Sequence, residues 1–414
     1  MSLSALRRAG PTVVPAARRY GAGFWLIALA FLTAMAFSTV PTPLYPLYQA
    51  HDGFSTFTVT IVFAVYAVGV LISLLLAGHV SDWVGRKKMM IAALVLELIA
   101  LVLFLASTAL PVLIVARLIT GLGVGMLTAT ATAHLQELHT ASRPRASTQR
   151  FEIVSTAANI GGLGLGPLIA GALAQYFGDP LHLPYAVFGV LLLMSVVAVV
   201  LSPETVEPPA VRPRYRPQRI SADHGDRAGF IAAGAAGFAA FAVFGLFTSL
   251  APGFVGGTLH HPSRALAGVI AFAVFGAAAL AQTLTTRLDV RTRRNLGLLA
   301  QGVGVIGLAV GMHTANLAVF VTAGVVAGLG AGVLFKASVG AVAAMAAPAK
   351  RSEALAGFFT MSYFGLILPA VGMGIASQYV ALTTAMNWFA GVLLLLLAAA
   401  AVLATRRQAA DPTQ

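Results

Sequence analysis

Twelve apolar runs, each roughly twenty residues or more, divide this chain and leave it little choice of architecture. They fall at 23–43, 57–77, 89–109, 112–135, 148–176, 184–202, 229–250, 265–285, 295–313, 315–340, 352–377 and 380–404. A helix rises about 1.5 Å per residue and a bilayer core is about 30 Å thick, so each run can cross once. Inside lipid every backbone amide must be satisfied within the chain, and runs of this length do so as helices. Only 9% of residues are charged and 58% are hydrophobic. A soluble domain carries about 25% charged residues. The sequence therefore predicts an all-α membrane protein with twelve transmembrane helices.

The net charge of +13 raises the question of a polyanionic partner, and the distribution of charge answers it. Of 26 Lys and Arg, 23 lie in the N-terminal tail, in alternate loops or in the C-terminal tail; Arg117, Arg264 and Lys336 are the exceptions. That alternation is the positive-inside bias. It predicts a multi-pass protein of the cytoplasmic (inner) membrane with both termini cytoplasmic, and no nucleic-acid partner. Residues 1–22 read as a cytoplasmic tail, and the run at 23–43 as a retained first helix, too long for a signal-peptide core. Residues 203–228 contain Glu204, Glu207, five arginines and five prolines, and read as a flexible, solvated linker. It separates a bundle at 23–202 from one at 229–405, with 406–414 as a second cytoplasmic tail. The chain has no cysteine, His51, His79 and His134 are scattered, and no phosphate-binding glycine loop is present. No cofactor, metal site or enzymatic activity is expected.

The densest polar stretch, Gly78-His-Val-Ser-Asp82-Trp-Val-Gly85-Arg86-Lys87-Lys88, joins the second and third runs. Its glycines offer backbone freedom for a sharp turn, and Asp82 stands four residues before Arg86, the spacing of a helical ion pair. The chain also repeats itself. Gly121-Leu-Gly-Val-Gly125 recurs as Gly328-Leu-Gly-Ala-Gly332, a shift of 207 residues. The same shift carries Asp82, Arg86 and Lys87 onto Asp289, Arg293 and Arg294, with Thr285 and Thr292 in place of the two glycines.

The turn resembles the signature between helices 2 and 3 of the major facilitator superfamily, through Gly78, Asp82, Gly85, Arg86 and Lys87; Trp83 departs from it. The resemblance implies two pseudo-symmetric six-helix bundles with a substrate site between them near mid-membrane. It also implies a gating network in which Glu137, at the basic-loop end of helix 4, and Arg145, before helix 5, join Asp82 and Arg86. Arg117-Leu-Ile-Thr-Gly121 is similar to the family's helix 4 motif, whose arginine is tied to proton coupling. Gly162, Gly166, Pro167 and Gly171 resemble the helix 5 signature of the drug:proton antiporter branch, with Ala170 replacing a glycine. Many such antiporters carry a carboxylate in helix 1, and this chain has none there.

Three charges fall well inside predicted spans, where each needs a partner or a wet cavity. Arg117 either meets such a partner or snorkels outward. Glu97, the one acid well inside a span, is read equally as a proton carrier or as a structural hydrogen-bonding group. Lys336, on helix 10, is read as facing an anionic substrate or as a structural counter-charge. Glu152, close to Arg150 and to water, is expected to be structural. Phe241, Phe244 and Phe247 share a helical spacing that serves packing or an apolar ligand. The leading expectation is a monomeric secondary transporter that exports small amphipathic molecules against protons by alternating access. A proton-linked importer of a polar or anionic nutrient is the alternative, and a sensor that uses the fold without transport is a third reading.

Overall fold

The structure, a computed structural model, describes residues 16–207, 214–220, 226–347 and 350–410. The expected tail residues 1–15 and 411–414 and linker residues 208–213 and 221–225 lie outside the described residues. Among the described residues, twelve helices are long and apolar enough to cross a membrane. The first six are α1 (Ala17–Asp52), α2 (Thr56–Ala77), α3 (Arg86–Ala106), α4 (Leu110–Ser142), α5 (Gln149–Tyr176) and α6 (Leu183–Leu201). The second six are α7 (Arg227–Ser249), α8 (Arg264–Arg287), α9 (Val290–His313), α10 (Leu317–Met345), α11 (Arg351–Ala376) and α12 (Leu382–Ala404). No strand occurs among the described residues.

Local chemistry sets the helix ends. Ser55 accepts a hydrogen bond from the Thr58 amide to start α2, and Ser263 and Asn316 cap α8 and α10 in the same way, each satisfying an amide with no partner inside its helix. Pro111 and Pro184 occupy first turns, where the missing N–H costs nothing. The run at 23–43 is not one regular helix. Regular structure stops at Ser38, a tight turn spans Thr42–Leu44 around Pro41 and Pro43, and a short helix continues to Asp52. In the other direction, α4 runs on past residue 135 to Ser142, so Glu137 sits inside a helix.

The repeat seen in sequence is a repeat in packing. Added side-chain atoms at Gly121 and Gly125 would collide with the backbone of α2 at Tyr66 and Val70, while Gly123 faces Glu97 of α3. Their counterparts Gly328 and Gly332 press on α8 at Val274 and Ala278, and Gly330 on α9 at Gln301. Close approach of this kind needs glycine. Two six-helix bundles result, and they meet along two seams, α5 with α8 and α2 with α11. Both seams are tight at the end away from the basic loops. There Gly171 abuts Arg264, Gly268 abuts Pro167, and Gly374 abuts Thr60.

Candidate functional site

Between the bundles lies a cavity of about 400 Å³, in the size range of small-molecule sites. A wide turn of π-helix at Ala157–Gly161 interrupts α5, a distortion often found where a helix serves a site, and Asn159 from this turn lines the cavity. Arg117 lines it as well. Its side chain is buried; Nη1 donates to the Ser38 carbonyl at 2.7 Å, and the guanidinium carbon stands 4.3 Å from the Tyr66 ring centroid. Arg117 therefore does not snorkel outward. Phe241 and Phe244 also line the cavity, whereas Phe247 packs on Phe320 in the core of the second bundle.

Glu97 is fully buried and neither of its carboxylate oxygens has a hydrogen-bond partner. It points at Gly123, where an added Cβ would come within 2.9 Å of Oε1. It does not line the cavity, and it forms no ion pair with Arg117. Lys336 is not among the cavity-lining residues either, although Gln282, which it contacts, is. Its Nζ lies 3.3 Å from Glu152 Oε2 and donates to the Gln282 carbonyl at 3.1 Å. The Glu152–Lys336 pair spans the two bundles, which the position of Glu152 near the end of its helix gives no means of foreseeing.

The α2–α3 turn forms the second cluster. Arg86 is its centre: Nη1 donates to Asp82 at 2.5 Å and to Ser81 at 2.6 Å, and Nη2 to Glu137 at 2.8 Å. The Arg86 side chain is 9% exposed, that of Glu137 33% and that of Asp82 62%, so one half of the network is fixed and the other is free to exchange partners. Of the two glycines, only Gly85 uses its conformational freedom, with φ +107°; Gly78 is helical. Arg145 is exposed in the turn before α5 and forms no ion pair with this cluster, which corrects the family-based expectation.

The start of the linker completes the cluster and is not a free, solvated connection. Glu204 accepts the Arg86 and Lys87 amides at 3.0 Å each, capping α3, and Thr205 donates to Glu137. The Pro203 carbonyl meets His134 Nε2 at 3.0 Å. Further along, Tyr215 and Gln218 donate to the Leu76 and Leu75 carbonyls at the end of α2. The one sequence signal for this docking is an acid three residues after Leu201, the last residue of α6.

The second copy of the turn behaves differently. Asp289 accepts the Thr292 amide at 2.9 Å as an N-cap, while Arg293 donates to the Thr285, Thr286 and Leu288 carbonyls. That amide bond holds the Asp289 carboxyl below its ordinary range, so its capping stabilisation is complete at neutral pH and fades as pH falls through that lowered value. Asp82→Asn is expected to cripple transport while the protein still inserts, and Asp289→Asn to leave flux near wild type. Flux per inserted protein, measured side by side, checks both; normal flux in Asp82→Asn would remove the gating role.

In α5 the glycines of the antiporter-like motif are contact points. Gly162 and Gly166 press on α1 at Leu32 and Ala36, and Gly171 with Pro167 forms the seam with α8.

A family model described as Major Facilitator Superfamily matches residues 26–314. An uncharacterized MFS-type transporter of Mycobacterium tuberculosis, Rv1250, is 25% identical over 177 residues, 42% of this chain and 30% of that protein. A second from that species, Rv1877, is 27% identical over 173 residues, 42% of this chain and 24% of that protein. The matched stretch thus spans less than a third of the length of these curated relatives. The fold is similar to that of the nucleoside transporter NupG, with TM-score 0.69, 15% identity and coverage of 92% of this chain and 99% of that one. It is also similar to a POT family transporter crystallised with a thioalcohol-conjugated peptide, with TM-score 0.74, 12% identity and coverage of 94% and 96%.

Proposed function

The chain belongs to the Major Facilitator Superfamily, and from that premise we propose that it is a proton-coupled exporter of small amphipathic molecules in the cytoplasmic membrane. Residues 23–202 and 229–405 are then the two units that rock about the cavity, in a monomer with both termini cytoplasmic. The observation that carries this reading is the cavity itself. It is bounded by both bundles, walled largely by aromatic and hydroxyl side chains, and sealed at the end away from the basic loops by the glycine contacts of α5 and α8. By the positive-inside bias the basic end is cytoplasmic, so substrate enters from the cytoplasm. The Gly166-Pro167 step of α5 lies at that seal, which supports export. Arg117 on the cavity wall supports a second reading, a proton-linked importer of an anionic nutrient.

Everted vesicles with an imposed acid interior separate the two. An exporter dissipates the gradient when substrate is added outside; an importer accumulates no substrate in that orientation under the same gradient.

The Glu152–Lys336 pair is the tether this mechanism must break in each cycle. Its side chains are 39% and 22% exposed, so it contributes no more than about 1 kcal/mol, a factor of about five in the conformational equilibrium. Because the chain has no native cysteine, a single Thr132→Cys on the cavity wall reports access from the basic end. Lys336→Glu is expected to change its labelling by a membrane-impermeant maleimide, and the paired swap with Glu152→Lys to restore it. A swap no better than the single change would show that the pair holds nothing.

A further inference from the structure

The cavity has two unlike walls. From the first bundle it receives Thr39, Thr128, Ser155 and Asn159, together with Arg117 and the rings of Phe63 and Tyr66; the second supplies most of the rings, among them Phe241, Phe335, Phe359 and Tyr363, with Thr248 and Gln282 beside them. Arg117 is the one formally charged side chain among its described lining residues, which include no Asp or Glu. The acids that might have neutralised the site are turned elsewhere, Glu97 to Gly123 and Glu152 to Lys336. Arg117 itself is only 2% exposed and, among the described residues, has no carboxylate within 4 Å and no partner for its Nε.

A buried guanidinium with spare donors and no counter-ion favours a ligand that brings an anion, since charge-assisted bonds to carboxylate or sulfonate are the strong ones. The rings hold any flat apolar body of either charge. They attract cations weakly through their faces, but that attraction is opposed by direct repulsion from Arg117 in a medium of low dielectric. From this asymmetry we propose that the substrate is an aromatic monoanion, with its ring on the second bundle and its acidic group on Arg117 and the neighbouring hydroxyls. The inference rests on the transport reading above and narrows it; lipophilic cations are excluded as preferred cargo.

Three fluorescent congeners with one ring system decide it: dansylglycine carries a carboxylate, dansylamide no charge and dansylcadaverine an ammonium. Binding to the purified protein is followed by fluorescence, and flux in reconstituted vesicles. Dansylglycine is expected to bind at least about tenfold more tightly than dansylcadaverine. Arg117→Gln should erase that difference and Arg117→Lys keep most of it, while Phe335→Leu should weaken all three alike. A cavity that binds dansylcadaverine as well or better, a preference that survives Arg117→Gln, or no binding of any congener overturns the assignment. Should Arg117→Gln fail to fold, the wild-type order and Arg117→Lys decide it. Binding in the expected order without flux under any gradient overturns transport and leaves the ligand class standing. Preferential flux of the ammonium congener does the reverse.

Discussion

Arg86→Gln is expected to reduce transport at least tenfold while leaving insertion intact. The guanidinium holds Ser81, Asp82 and Glu137 at once, and no amide can reproduce a planar fork with three partners. Breaking a fully buried pair costs about 3–5 kcal/mol and a surface pair about 0–1. With Arg86 buried but Asp82 mostly exposed, the loss belongs between those limits, at about 2 kcal/mol, more than a tenfold shift between conformations. The apolar spans α2 and α3 are untouched, so the protein still reaches the membrane. Arg86→Lys should recover little, because a single ammonium cannot bridge Asp82 and Glu137 together. The measurement is initial uptake into everted vesicles, normalised to inserted protein. Wild-type uptake by Arg86→Gln would show that this cluster anchors the turn without gating it.

What could be read from sequence, and what could not, divides by distance along the chain. The spans, the 207-residue repeat and the Asp82–Arg86 pair depend on local periodicity or on spacing within one helical turn, and the structure carries all three. Glu137 was reachable only through family resemblance, because its contact with Arg86 depends on how α4 packs on α3. The contacts of Glu204 with Arg86 and of Glu152 with Lys336 join residues 118 and 184 apart. They follow from the docking of the linker and of the two bundles, which leaves no periodic signature. Lys336 illustrates the consequence: its place on a cavity-lining helix was legible, but its rotation toward Gln282 and Glu152 was not. Packing likewise turns Glu97 toward the notch at Gly123 and Arg117 toward Ser38, orientations that position along a helix does not reveal.

The same notch frames the last expected result, which is that Glu97→Gln uncouples transport from protons. Among the described residues, Glu97 is the one carboxylate more than two turns from either end of its span. It is buried with both oxygens unpartnered, an arrangement that a stable structural hydrogen bond would not leave. Gly123, its contact on α4, lies six residues beyond Arg117, about 9 Å along the helix axis. On this reading the carboxyl exchanges its proton as the bundles rock, giving it up where the guanidinium field reaches it and regaining it where rearrangement of the bundles withdraws that field. Glutamine keeps the size and shape of the side chain, so the packing on Gly123 survives and substrate binding should remain within about twofold, since volume-conserving changes in a core are the best tolerated. What should disappear is the acceleration of flux by an imposed pH gradient. Uptake measured across external pH, with and without the gradient, reads both quantities. A normal pH dependence in Glu97→Gln would send the search for the coupling group elsewhere, to a charge on the substrate or to another ion.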